Sequence, residues 1–172
     1  SIMAAAALSN AFLSAGNRVG MLFYGKRIAW TMPGYGKVQG EKILHNLSAL
    51  EPGDSQALSE LQIPHRRFPF RSQLVFISPL LSDDFNALAD LRAKGYAVLV
   101  VSPDPIAFEA QAETVSENLA LALRVVRLRR QLFLDRLRRI GVHVVDWDVS
   151  LPFEQVARRE LERRQVFSGG RR

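Results

Sequence analysis

Two extended runs separated by only two residues constrain this chain most. Residues 19–24 (Val-Gly-Met-Leu-Phe-Tyr) read as one strand and 27–32, in which Ile28, Trp30 and Met32 alternate, as the next. Only Gly25 and Lys26 lie between them. So short a connection joins antiparallel strands, because a parallel pair needs a crossover of a dozen residues or more. A dinucleotide-binding domain reaches its second strand through a helix, which sets this chain apart from that class.

The remaining pattern alternates. Residues 4–15 are alanine-rich with Leu8, Phe12 and Leu13, predicting a helix that Gly16-Asn17 stops. A loop at 33–37 leads to an amphipathic helix over 38–50, with Ile43, Leu44, Leu47 and Leu50 on one face. Residues 51–55 break it, Asp54 or Ser55 caps a short helix over 57–61, and 64–71 form a basic, aromatic connector. Strands at 73–78, 97–102 and 142–147 then alternate with helices at 83–94, 117–140 and 152–165. This predicts an α/β fold, doubly wound, with a mostly parallel sheet and one antiparallel edge strand supplied by the hairpin. The 172 residues suit one domain over 1–167, with 168–172 a flexible basic tail.

Composition closes several routes. There is no cysteine, which excludes disulfides, thiolate metal sites and cysteine nucleophiles. No apolar run approaches the ~20 residues that span a bilayer. The formal charge of +6 is uneven: residues 1–123 hold 10 Lys+Arg against 11 Asp+Glu, and residues 124–172 hold 13 against 6. Arginine carries that excess.

In open α/β sheets ligands sit beyond the carboxyl ends of the parallel strands. The loops expected there, 51–57, 78–84, 102–110 and 147–152, hold Asp54, Ser55, Ser78, Asp83, Asp84, Asp104 and Asp148. Hard cations such as magnesium take oxygen ligands of this kind, and the same residues cap helices and turns. Asp146 and Asp148, two apart on a strand, share a face and are expected to meet solvent or a cap. Gly34-Tyr35-Gly36-Lys37 lacks both the first glycine and the hydroxyl of a phosphate loop, and reads as a turn with helix entry. His45, His65 and His143 have no metal-pair spacing, and there is no Gly-x-Ser-x-Gly elbow.

Three segments, in this order, carry a resemblance: Asn17-Arg18-Val19-Gly20-Met21-Leu22-Phe23-Tyr24-Gly25, then Ser72-Gln73-Leu74-Val75-Phe76-Ile77-Ser78-Pro79-Leu80-Leu81, then Lys94-Gly95-Tyr96-Ala97-Val98-Leu99-Val100-Val101. Together they resemble the domain-of-unknown-function family fifty-eight, whose core is a von Willebrand factor A-like domain, over about residues 4–150. The resemblance implies a sheet of order 3-2-1-4-5-6 with an antiparallel edge strand. It also implies a metal-ion-dependent adhesion site built from an Asp-x-Ser-x-Ser motif, a middle-loop hydroxyl and a later Asp. The first strand and its motif are missing from residues 1–172. That strand would be central, between 19–24 and 73–78, so an upstream segment is expected to close the two inner edges. The middle-loop hydroxyl maps onto Ser55. The later Asp maps onto Pro79, which cannot ligate, leaving Asp83 and Asp84 as substitutes. A degenerate site follows, with no resident cofactor and little or no magnesium.

Three readings fit the arginine-rich stretch 124–139. Leu119, Leu123, Val126, Phe133, Leu137 and Ile140 make a core face, and Asp135 pairs with Arg138 and Arg139. The arginines suit an anionic protein or membrane surface. Nucleic acid is disfavoured, since no aromatic platform interleaves them and no recognition motif is present. The expectation is a non-enzymatic protein-interaction domain, cytoplasmic, as the soluble part of a membrane-anchored protein. The resemblance implies a MoxR-type AAA+ ATPase as its partner. Ser55, Ser78, Asp83 and Asp104 would form one binding surface and Arg127 and Arg138 a second. The alternative is a metal-assisted hydrolase or nucleotide-binding α/β domain using Asp83, Asp84 and Asp104, which requires carboxylates converging in an acidic pocket.

Overall fold

The structure, a computed structural model, describes residues 2–24, 28–50, 72–104 and 117–157. The hairpin turn, Ser55, the short helix at 57–61, the connector at 64–71, most of the helix expected at 152–165 and the tail at 168–172 lie outside the described residues. The chain divides into two compact units, Ser1–Ser55 with Phe153–Arg172, and Gln56–Pro152.

The first unit contains α1 (Ile2–Ser14), β1 (Val19–Tyr24), β2 (Ile28–Gly34), α2 (Gly36–Ser48) and a helical turn at 153–157. β1 and β2 pair antiparallel, with Leu22 opposite Trp30 and Tyr24 opposite Ile28. The register shifts between Val19 and Met21. Gly20 lies in that bulge, where a Cβ would stand 2.8 Å from Pro33 Cγ. β2 runs through Pro33 and Gly34, two residues expected in a loop. Proline offers no N–H to a ladder and is tolerated at bulges. A side chain completes this end instead: Gln39 Nε2 donates to Val19 O at 2.7 Å and to Met32 O at 2.8 Å.

The buried stripe of α2 is Gln39, Ile43 and Leu47, spaced by four. Leu44, expected on that face, is 54% exposed. The amide at position 39 holds the helix to the hairpin, which rotates Leu44 outward. Asn46 Nδ2 donates to Thr31 Oγ1 at 2.7 Å and adds a second polar tie. Ala4 and Leu8 of α1 are buried as well, and α1 packs on α2.

The second unit contains β3 (Gln73–Ile77), α3 (Asp84–Ala93), β4 (Ala97–Pro103), α4 (Glu117–Arg139) and β5 (His143–Trp147). The strands lie in the order β3-β4-β5 and all run parallel. Helix-strand alternation therefore gives a parallel sheet, as expected. The antiparallel hairpin was expected at its edge. It forms a separate two-stranded sheet instead. Gln39 closes the irregular end of its ladder.

β4 is buried from Val98 to Ser102, as the middle strand of a parallel sheet should be. Alternation puts Val98 and Val100 on the face that holds Leu74, Leu88, Leu91, Leu134 and Leu137. Both helices end on a left-handed glycine, Gly95 at φ 86° and Gly141 at φ 82°. Tyr96 N–H reaches back to Leu91 O at 3.2 Å and Val142 N–H to Leu137 O at 3.1 Å. Such closure satisfies orphan carbonyls and turns the chain directly into the next strand.

The core stripe of α4 differs from the expected one. Leu134 and Leu137 are fully buried, whereas Val126 is 48% exposed. The side chain of Leu119 lies outside the described residues. What continues the stripe one turn before Leu134 is a charged residue, Arg130.

Candidate functional site

The carboxyl ends of β3, β4 and β5 converge on the guanidinium of Arg130. The sequence builds this from its alternation. Two residues past Val100 on the helix-facing side of β4 comes Ser102, and two past Val144 on β5 comes Asp146. The register sets Ser102 opposite Asp146. α4 links the end of β4 to the start of β5, so it runs back along the sheet. Arg130, one turn N-terminal to Leu134, therefore reaches the strand ends.

Arg130 Nη2 donates to Asp146 Oδ1 at 2.7 Å, Ser102 Oγ at 3.0 Å and Ser102 O at 3.2 Å, with Pro103 O at 3.4 Å. Nη1 donates to Pro79 O at 3.2 Å. Nε lies 3.8 Å from Asp104 Oδ1, an ion pair too long to be a hydrogen bond, so this N–H is buried without an acceptor. The Arg130 side chain is 12% exposed, that of Asp104 22% and that of Asp146 39%. A planar cation with five donors thus bridges the sheet end where α/β proteins bind ligands. It pairs with two carboxylates and donates to carbonyls of β4 and of the loop after β3.

The neighbouring loop is organised around the same group. Ser102 is fully buried, and its hydroxyl donates to Pro79 O at 3.1 Å. Leu80 takes φ 62°, the left-handed region that L-residues avoid. Its N–H donates to Ser78 Oγ at 3.2 Å, while Ser78 N–H continues the ladder to Val101 O at 3.1 Å. Ser78 thus fixes the strained turn.

Asp83 and Asp84 do not converge. Asp84 is buried, and its Oδ2 accepts from Leu81 N–H at 2.7 Å, folding the loop onto the first turn of α3. Asp83 is exposed and accepts from Ser82 Oγ at 3.3 Å. Asp148 behaves as a turn residue: its Oδ1 accepts from Ser150 Oγ at 2.7 Å and Ser150 N–H at 2.9 Å. Those two bonds, the hydroxyl's first, hold its carboxyl below the usual aspartate range. Asp146 was expected to meet solvent or a cap, and it pairs with Arg130 instead. Arg127 is exposed on α4, and Arg138 is exposed with Nη1 2.7 Å from Asp135 Oδ1.

Among the described residues no three His, Asp or Glu side chains form a group able to hold a metal ion. At the strand ends Pro79 offers its carbonyl to Arg130 and Ser102, and Asp104 and Asp146 flank the guanidinium. Arg130 is not among the residues that the sequence pattern marks as a candidate. The available signal is an arginine in step with Leu134 and Leu137 on a helix that follows a strand ending in Ser102-Pro103, with Asp104 next.

No protein-family profile matches the chain, and no curated protein or solved structure matches it. No helix among the described residues is long and apolar enough to cross a membrane.

Proposed function

We propose that this chain is a non-enzymatic protein-interaction domain, of von Willebrand A-like type, with a MoxR-type AAA+ ATPase as its partner. One observation carries the non-catalytic reading: at the end of the sheet where α/β enzymes work, Arg130 pairs with the carboxylates of Asp146 and Asp104. A hydrolase needs carboxylates free to bind a metal or move a proton. Here Asp104 and Asp146 converge on a fixed arginine. The interaction surface is then the outside of this end, at Ser78, Asp83 and Asp104, with the arginines of α4 beside it.

The strand grouping supports the finer fold reading. An antiparallel pair followed by a parallel triplet is what the order 3-2-1-4-5-6 becomes when its first strand is left out. Pro79 in place of the family's aspartate, with Arg130 on its carbonyl, supports a degenerate adhesion site.

The test is co-sedimentation of the full chain with a MoxR-type ATPase of the same organism, with and without magnesium. Complex formation independent of magnesium is expected. Magnesium binding to the chain alone at micromolar affinity and fixed stoichiometry, or metal-dependent hydrolysis of a phosphate or acyl ester, overturns the reading.

A further inference from the structure

α4 carries a second pattern on the side away from the core. Leu121 is 63% exposed, Val125 44%, Leu128 56% and Leu132 62%. Their spacing of four, three and four is that of a coiled-coil seam. At ~100° per residue the four side chains fall within an arc of about 60°. An interfacial lipid-binding helix presents a much broader apolar face. Arg129 interrupts any broadening here, standing between the seam and the partly exposed Val126.

The flanks are basic. Arg124 precedes Val125 on one side of the seam and Arg129 follows Leu128 on the other. Both are exposed, and among the described residues neither forms an ion pair. In heptad terms they occupy the two positions that meet across a parallel pair. A second copy of α4 packed in parallel would set Arg124 against Arg129, and an antiparallel copy would set each against itself. Like charges there are repulsive. A helix with apolar residues at the seam and glutamate or aspartate at its flanks would meet every one of these features with its complement.

We infer that the exposed face of α4 docks an acidic amphipathic helix of a partner protein. Leu121, Val125, Leu128 and Leu132 form the seam, and Arg124 and Arg129 select the partner by charge. This rests on the reading of the chain as an interaction domain and specifies the chemistry of what it binds.

The test uses the full chain and a stapled two-heptad helical peptide with leucine at the seam positions and glutamate at both flanks. A lysine-flanked peptide of the same seam is the comparison. Saturable binding at least tenfold tighter for the glutamate peptide is expected. Leu128→Asp with Leu132→Asp should abolish binding while leaving the circular dichroism spectrum unchanged. Since those substitutions also change charge, a second variant is required: Arg124→Glu with Arg129→Glu should reverse the preference toward the lysine peptide. Equal affinity for both peptides, or no binding of either, overturns the inference. So does concentration-dependent dimerisation lost on Leu128→Asp, or binding of duplex DNA or phosphatidylserine vesicles that needs the same leucines. Peptide failure with the ATPase complex intact rejects only this surface. Metal-dependent hydrolysis rejects the underlying reading.

Discussion

Arg130 and Asp146 meet at 2.7 Å across the carboxyl end of the parallel sheet, the arginine from α4 and the aspartate from β5. The bond is one of several to the same guanidinium, which also holds Ser102 and Pro79. Arg130 fixes three chain segments with one side chain: the loop after β3, the end of β4 and the end of β5.

Arg130→Ala should therefore destabilise the second unit more than an ordinary surface arginine would. Removing it takes the guanidinium donor from Asp146 and the Ser102 carbonyl, and leaves Pro79 O with the Ser102 hydroxyl alone. Loss of charged hydrogen bonds in a largely buried setting costs about 3 kcal/mol, discounted for the partial exposure of Asp146. Arg130→Lys should recover less than half, because an ammonium is a point donor and cannot span acceptors on opposite sides of a planar fork. Urea denaturation followed by tryptophan fluorescence, with Trp147 in β5 as reporter, measures both. A loss below 1 kcal/mol for Arg130→Ala would show the cluster to be incidental.

Much of the fold was legible because local rules and tertiary structure agree. The short gap between two extended runs forced the hairpin, and Gly95 and Gly141 marked the ends of α3 and α4. Departures occur where a polar side chain sits at an apolar position. Gln39 holds the hairpin's bulge and so redirects the face of α2, exposing Leu44. Arg130 extends the stripe of Leu134 and Leu137 by a turn, which hydrophobic periodicity reads as an interruption. Neither has a local motif. Each is recognisable only once the carbonyls it satisfies have been brought together.

Gln39→Ala should cost the first unit about 2 kcal/mol, since the carbonyls of Val19 and Met32 lose a shared donor at a point where the ladder is broken. Gln39→Glu is the sharper variant. It places an acceptor against two acceptors and should be at least as damaging above the carboxyl pKa. Thermal unfolding at pH 7 compares the two, and a Glu variant as stable as wild type would show that the amide does not bridge the strands.

Leu137→Ala removes a fully buried side chain from the centre of the core between α3, α4 and the sheet. Truncations of this kind cost about 2–5 kcal/mol, the spread reflecting how far the cavity collapses. The rigid strand β4 on one side and α3 on the other leave little room for collapse, so the upper half of that range is expected from chemical denaturation. Leu132→Ala on the same helix, at a site 62% exposed, should change stability by less than about 0.5 kcal/mol.

Asp148 supplies a pH-dependent test at an exposed carboxylate. Its carboxylate accepts from the hydroxyl and the backbone N–H of Ser150, and both bonds favour the charged form. The folded pKa therefore lies below the unfolded one. The turn's contribution to stability is complete above the unfolded aspartate value and is lost as pH falls through the folded value. Ser150→Ala deletes the stronger of the two bonds and keeps the backbone one. The Asp148 carboxyl should then move up toward the ordinary aspartate range without reaching it, read by the carboxyl carbon shift in an NMR titration. An unchanged midpoint would mean that the hydroxyl does not hold the charge. A midpoint fully restored to that of a free aspartate would mean that the backbone N–H contributes nothing once the serine side chain is gone.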